Sequence, residues 1–297
     1  MRSRYDYTPA EGIVSPRGAD RTVQEFSFER LDDAARIILA EINTETEGRP
    51  LWYRGISCDR YPLFPKIMRG AERPMAEVFE REARLLARFR ERSLPFWGAG
   101  YPQTDWEHLF AMQHHGISTR LLDWSENFFV SAFFAANSSP SQDPRHLASH
   151  GGEPCKPAIW VLDAYAWNSE VPQLADTGIG ILTTVDEEIS RWQPQTSSGE
   201  RLRKRAKMPV AIYGTHNSAR IVAQRGTFTL AGEDWRPFEA FCSDNPNLEK
   251  CLTKLVCVGD RVRFVGDLSK LGYTESMIYP DLIGLATELD RTEGWPI

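Results

Sequence analysis

Residues 126–137 constrain this chain more than any other stretch. Phe128, Phe129, Val130, Ala132, Phe133, Phe134, Ala135 and Ala136 leave no polar face at helical spacing. A helix of that kind has to be buried on all sides, so a large core must be built around it. At 297 residues the chain can supply one without metal or disulfide staples. Length alone allows roughly two domains, but there is no internal repeat and no linker that cuts the chain into two cores.

Residues 1–24 mix Arg, Asp, Ser, Pro and Gly without periodicity and read as a flexible arm. In residues 27–42, Leu31, Ala34, Ala35, Ile38 and Leu39 recur at amphipathic spacing, so a helix is expected from Ser27. Residues 51–54 form a short aromatic strand that ends at Gly55. Residues 75–92 give the clearest helix, with Met75, Val78, Phe79, Leu85, Leu86 and Phe89 on one face and Glu77/Arg81 and Glu80/Arg84 paired on the other. A shorter helix over 106–115 stops at Gly116, and a strand-like segment follows over 118–124. Segments 140–157 and 193–209 read as loops. Segments 158–162 and 252–258 read as strands, and 220–230 as strand–turn–strand around Gly226. Helices are expected over 262–271, ended by Gly272, and over 277–289. Strands and helices intermingle without βα alternation, which favours one α+β domain.

No apolar run approaches the ~18–20 residues that span a bilayer, and the polar start has no signal-peptide core. A cytoplasmic protein without membrane contact is expected. The five cysteines, Cys58, Cys155, Cys242, Cys251 and Cys257, include no CxxC pair. They read as reduced, buried thiols rather than a disulfide framework or a structural zinc site. With 35 Lys+Arg against 41 Asp+Glu the net charge is −6, which opposes indiscriminate binding to nucleic acid.

Three blocks place polar side chains in apolar surroundings, which costs stability unless they are paired or used. In Trp52-Tyr53-Arg54-Gly55 a guanidinium sits at the end of an aromatic strand, an arrangement suited to a phosphate or ribose. The competing reading is a structural Arg paired with a core carboxylate such as Asp123. Residues 113–124 hold His114, His115, Thr119, Arg120 and Asp123 beside the buried helix. Adjacent histidines point about 100° apart on a helix, so one belongs to a polar network and the other is exposed. No third ligand lies at metal spacing. In the third block Arg220, Val222 and Gln224 share a strand face ahead of Gly226, lining a cleft or a half-exposed edge.

Together these segments resemble the FRG domain family. The likeness runs through Trp52-Tyr53-Arg54-Gly55, Tyr61-Pro62-Leu63-Phe64-Pro65, Gln113-His114-His115-Gly116, Thr119-Arg120-Leu121-Leu122-Asp123-Trp124, the Phe/Ala helix, Ala223-Gln224 with Gly226 and Phe228, and Tyr279-Pro280-Asp281-Leu282. It extends over residues 25–292, with Tyr53 where the family has Phe. The element order is also similar to the ADP-ribosyltransferase fold, a split β-sheet core with flanking helices. That resemblance implies NAD as substrate and no metal. It implies Arg54, Thr119, Asp123 and Gln224 as catalytic residues, and Tyr53, Arg54, Gly55, His115, Ser118, Arg120, Trp124 and Arg220 around NAD. Residues 125–136 would be the helix after the Ser-Thr strand. Tyr53, Trp124 and Phe129 are candidates for the aromatic floor under nicotinamide. The late Glu of those enzymes has no counterpart beside Arg220 and Gln224, so Asp123, Glu275 or Asp281 would supply its charge, or catalysis would rely on orientation alone.

Residues 201–207 carry five cations, Arg201, Arg203, Lys204, Arg205 and Lys207. On an acidic protein they form the place where RNA or DNA would dock, or else a solvated loop or a patch for an acidic partner. The leading expectation is therefore an NAD-dependent ADP-ribosyltransferase. It would act as a toxin or phage-defence effector on nucleic acid or protein, with an antitoxin to neutralise it. The alternatives are a non-catalytic nucleotide-sensing module and a metal-independent RNase built on His115, Arg120 and Asp123.

Overall fold

The computed structural model describes residues 23–42, 48–70, 72–97, 102, 104–138, 153–193, 205–216 and 218–294. The Asn127 side chain accepts from the Phe129 and Val130 amides at 2.9 and 3.4 Å and so starts helix α4, Phe128–Asn137. Around α4 stand the strands β1 (Gln24–Phe28), β2 (Trp52–Ile56), β3 (Leu121–Ser125), β4 (Ala158–Leu162), β5 (Val210–Ile212), β6 (Gly226–Leu230) and β7 (Leu252–Cys257). They form one seven-stranded mixed sheet in the order β1-β7-β4-β2-β3-β6-β5. β1 and β7 run parallel, and the remaining pairs are antiparallel. The fold is α+β, as the intermingled elements predict.

The helices are α1 (Leu31–Ala40), α2 (Met75–Ser93), α3 (Asp105–His114), α4, α5 (Ala164–Ser169), α6 (Ala219–Gln224), α7 (Pro246–Cys251), α8 (Arg261–Lys270), α9 (Glu275–Ile278) and α10 (Leu282–Thr292). α4 packs with Leu31, Tyr53, Ile159, Leu255, Phe264 and Ile278 in one core cluster, so the all-apolar helix is enclosed as its composition demands. A second cluster joins Trp52, Trp124, Trp160 and Phe228 to Phe110 of α3 and Trp167 of α5. There Phe110 stacks on Phe228 at 5.1 Å and Trp167 on Phe238 at 4.0 Å.

The sheet is not divided into two sheets, but it narrows sharply in the middle. β2 and β4 share five rungs, as do β3 and β6, whereas β2 and β3 meet only at Tyr53↔Ser125. The halves β1-β7-β4-β2 and β3-β6-β5 are therefore joined through a single rung.

Several local expectations change. Ser27 belongs to β1, and α1 begins only at Leu31. Residues 118–120 precede β3 rather than forming part of it. Segment 220–224 is helical: the Ser218 hydroxyl caps the Ile221 amide at 3.2 Å, and Arg225 at φ 46° ends the turn. The helix is six residues long, too short for periodicity to separate it from an alternating strand. The last helix is interrupted around Pro280, giving α9 and α10. Cys58 and Cys155 form a disulfide, while Cys242, Cys251 and Cys257 are free and buried. Most of the expected arm and most of the segments 140–157 and 193–209 lie outside the described residues.

Candidate functional site

The single-rung junction is also where the polar residues gather. Past Tyr53↔Ser125 the ladder lapses, and the Arg54 guanidinium moves in. Its Nη1 donates to the Asp123 backbone carbonyl at 2.6 Å and lies 3.9 Å from the Asp123 carboxylate. Arg54 thus gives that carbonyl a donor where no further β2–β3 rung forms. Its Nε is buried and has no acceptor among the described residues. Burial lowers the Arg54 pKa to about 10, opposed by Asp123 and assisted by Arg69. At that value the guanidinium is charged at neutral pH.

Asp123 is the exposed member of β3, with 57% of its side chain open against 17% for Arg54. It is held from α3: Gln113 Nε2 donates to Asp123 Oδ2 at 2.8 Å. Gln113 Oε1 in turn accepts from the Thr119 hydroxyl at 2.6 Å, and Thr119 Oγ1 accepts from the Leu121 amide at 3.1 Å. Thr119, Gln113, Asp123 and Arg54 therefore form one chain of contacts across α3, the α3–β3 connection, β3 and β2. α3 is placed by a capping box, in which Thr104 and Glu107 exchange bonds. Gly116 at φ 76° turns the chain after it, and Lys66 Nζ donates to the Gly116 carbonyl at 2.6 Å.

The histidines divide as adjacency requires. His115 is exposed and His114 half-buried, their rings meeting edge-on at 4.8 Å. Burial, then His115 and Arg220, push the His114 pKa down to about 4 against the pull of Asp123. Its imidazole is neutral at physiological pH. Arg220 stands over the Tyr279 ring at 4.6 Å, on helix α6 rather than on a strand. Ser118 is half-buried in the α3–β3 connection.

Other expected site residues serve the packing. Arg120 and its partner Glu82 are both fully buried, with Arg120 Nε 2.7 Å from the carboxylate. Arg120 also donates to the Ala231 and Trp192 carbonyls at 2.6 and 2.7 Å and covers the Phe79 ring. It cannot meet a ligand, and an RNase trio of His115, Arg120 and Asp123 is not assembled. Trp124 is buried in the core, with its indole N–H on Thr229 at 3.0 Å. Tyr53 is buried against Phe128 at 5.7 Å, and burial pushes its hydroxyl up to about 12. A Cβ on Gly55 would collide with the Ser131 carbonyl and lie 2.7 Å from the Ala135 nitrogen, so this glycine seats α4 on β2. Gln224 bonds the Ile278 carbonyl at 3.0 Å and ties α6 to α9. Glu275 pairs with Arg291 at 2.9 Å, and Asp281 caps α10 at Gly284.

Of the basic run, Arg201, Arg203 and Lys204 lie outside the described residues. Arg205 is buried, stacked 3.7 Å over Phe79 and bonded to the Gln193 carbonyl. It is therefore withdrawn from any nucleic-acid surface, whereas Lys207 is exposed. Sequence reasoning gave no role to Gln113, although it lies within the block that carries the resemblance. Glu82 and Glu239 were also passed over. Glu239 accepts from the Leu63 amide at 3.1 Å, and burial pushes its carboxyl up to about 7. Among the described residues no group of three or more His, Cys, Asp and Glu is placed to hold a metal ion, and no helix is long and apolar enough to cross a membrane.

No curated protein and no solved structure matches this chain. The family model of the FRG domain matches residues 49–144, the part that runs through β2, α2, α3, β3 and α4. Arg54, Gln113, Thr119 and Asp123, the four residues joined at the narrowed junction of the sheet, all fall within this stretch that the FRG domain model matches.

Proposed function

We propose that the protein is an NAD-consuming ADP-ribosyltransferase whose site is the junction of β2 and β3. The observation that carries this reading is the pairing of a partly buried cation with an exposed acid where the β2–β3 ladder lapses. The Arg54 Nε has no acceptor among the described residues, and Asp123 is held beside Arg54 by Gln113. The fixed guanidinium suits the pyrophosphate of NAD. In the transfer, the bond between ribose C1′ and nicotinamide breaks and its electron pair leaves with nicotinamide. The acceptor then bonds to C1′ and gives up a proton. Positive charge grows on the ribose, and the Asp123 carboxylate stabilises it. The acceptor's proton passes to solvent water, because His114, with its pKa pushed down to about 4, is too weak a base to keep it at neutral pH.

The test is incubation with labelled NAD and total lysate, followed by nuclease or protease digestion. Label lost to nuclease identifies a nucleic-acid acceptor, and label lost to protease a protein. Arg54→Ala abolishes labelling on this reading, and full labelling by that variant refutes it. Growth arrest on expression of the wild type but not of Arg54→Ala tests the toxin or defence role.

A nucleotide-binding module without turnover is the second reading. Asp123 already accepts from Gln113 and faces Arg54, and Gln224 is occupied by the Ile278 carbonyl. Intact NAD recovered after saturable binding selects this alternative.

A further inference from the structure

Beyond the junction, the chain brings together two cysteines that lie 97 residues apart in sequence. The β2–β4 ladder ends at the rung Ile56↔Ala158. Cys58 and Cys155 lie just past it, with their Cα atoms 4.6 Å apart and a disulfide between them. Three bonds hold the two segments together independently of the sulfurs. The Asp59 amide donates to the Lys156 carbonyl at 2.7 Å, the Lys156 amide to Asp59 Oδ1 at 3.1 Å, and Arg60 Nη2 to the Glu153 carbonyl at 2.8 Å. With these bonds kept, the two thiols of the reduced protein stay within reach of each other.

The two sulfurs differ in their surroundings. Cys58 is fully buried, whereas Cys155 is half-buried. Arg60 Nη2 stands 3.8 Å from the Cys155 sulfur, and a neighbouring guanidinium favours the thiolate, which is the attacking form. The free cysteines Cys242, Cys251 and Cys257 have the opposite setting, since all three are buried and burial raises their thiol pKa.

We propose that Cys58 and Cys155 form a reversible redox site, with Cys155 as the attacking thiol and Cys58 as the resolving thiol, oxidised by a low-molecular-weight disulfide such as glutathione disulfide. The Cys155 thiolate attacks one sulfur of the small disulfide and expels the other half as a thiolate, which takes up the proton that Cys155 lost. The Cys58 thiolate then attacks the Cys155 sulfur and expels the second half, which takes up the proton from Cys58. Two cysteines lose two electrons and two protons, and one small disulfide becomes two thiols. A reducing dithiol runs the sequence backwards.

The test uses the full chain, reduced and then freed of reductant. Timed alkylation with peptide mapping is expected to label Cys155 at least about tenfold faster than Cys242, Cys251 or Cys257. Glutathione disulfide is expected to close the Cys58–Cys155 bridge, and dithiothreitol to reopen it. In Cys58→Ser the mixed disulfide should accumulate on Cys155. In Cys155→Ser, Cys58 should stay unmodified while a near-wild-type circular dichroism spectrum shows the fold intact. Equal adduct formation on Cys58 in Cys155→Ser, or a bridge that does not re-form in the wild type, overturns the proposal.

Discussion

Gln113 donates to the Asp123 carboxylate at 2.8 Å, so an acid that is more than half exposed is nevertheless fixed in direction. Gln113 is itself fixed by the Thr119 hydroxyl at 2.6 Å. Gln113→Leu frees Asp123 without touching Arg54. We expect NAD turnover to fall by about 10–100-fold, mostly in kcat, because misplacement of a reacting group by an ångström costs on that order. Gln113→Glu sets a second carboxylate against Asp123, so the two must share a proton. Its activity should recover as pH is lowered, which a purely structural role for Gln113 does not produce. Steady-state kinetics at three pH values decide the matter.

The Arg120–Glu82 pair makes a separate prediction about stability. Both side chains are fully buried, and Glu82 also accepts from the Arg120 amide at 2.7 Å. Glu82→Gln leaves a buried guanidinium uncompensated, at a cost of about 3–5 kcal/mol. The double variant Glu82→Leu/Arg120→Met recovers only part of this, because the Ala231 and Trp192 carbonyls lose their donors. Urea unfolding of the three proteins measures both effects. A Glu82→Gln loss below about 1 kcal/mol rules out this account of the pair.

The two arginines show where the sequence was legible. Arg54 was readable because it sits in a four-residue aromatic block ending in Gly. Whether it was a ligand cation or a partner of Asp123 was not, and the structure places it beside Asp123 with one donor that has no acceptor among the described residues. The fully buried structural arginine proved to be Arg120, whose partner lies 38 residues upstream. A signal for it did exist. Glu82 falls on the same stripe of α2 as Val78, Phe79 and Leu86, and a carboxylate among buried apolar residues needs a cation. Nothing comparable marked Cys58 and Cys155, which meet only because β2 and β4 pair. Gln224 was misplaced because a six-residue capped helix and an alternating strand present the same short pattern.

Gly55 tests how α4 is seated. Its place in the Arg54 block suggested close approach to a ligand, but the group that approaches is the α4 backbone at Ser131 and Ala135. Gly55→Ala must push α4 away from β2, and we expect a loss of at least about 1–3 kcal/mol. Gly116→Ala has open space around its Cβ but a φ of 76°. It should cost only about 1 kcal/mol, from backbone strain. Thermal unfolding should rank Gly55→Ala as clearly the worse of the two, and the reverse order contradicts the packing role.

Two groups bend the stability profile in opposite directions. Burial, with His115 and Arg220, holds the folded-state pKa of His114 at about 4, against roughly 6.5 when unfolded. Between those values the unfolded chain binds a proton that the folded chain does not, so this contribution is lost as pH falls from about 6.5 to 4. Burial raises the Glu239 carboxyl to about 7, against roughly 4.3 when unfolded. The folded chain holds that proton longer, so this contribution is lost as pH rises from about 4.3 to 7. Each effect should be on the order of 1 kcal/mol once solvent screening of these half-buried groups is allowed for. Relative to wild type, His114→Asn should gain stability at acid pH, and its profile should decline with rising pH. Glu239→Gln keeps an acceptor for the Leu63 amide and should tilt the profile the other way. Denaturant midpoints at half-unit steps from pH 4 to 7.5 read both slopes. A variant profile that runs parallel to wild type throughout shows that its side chain does not titrate in that window.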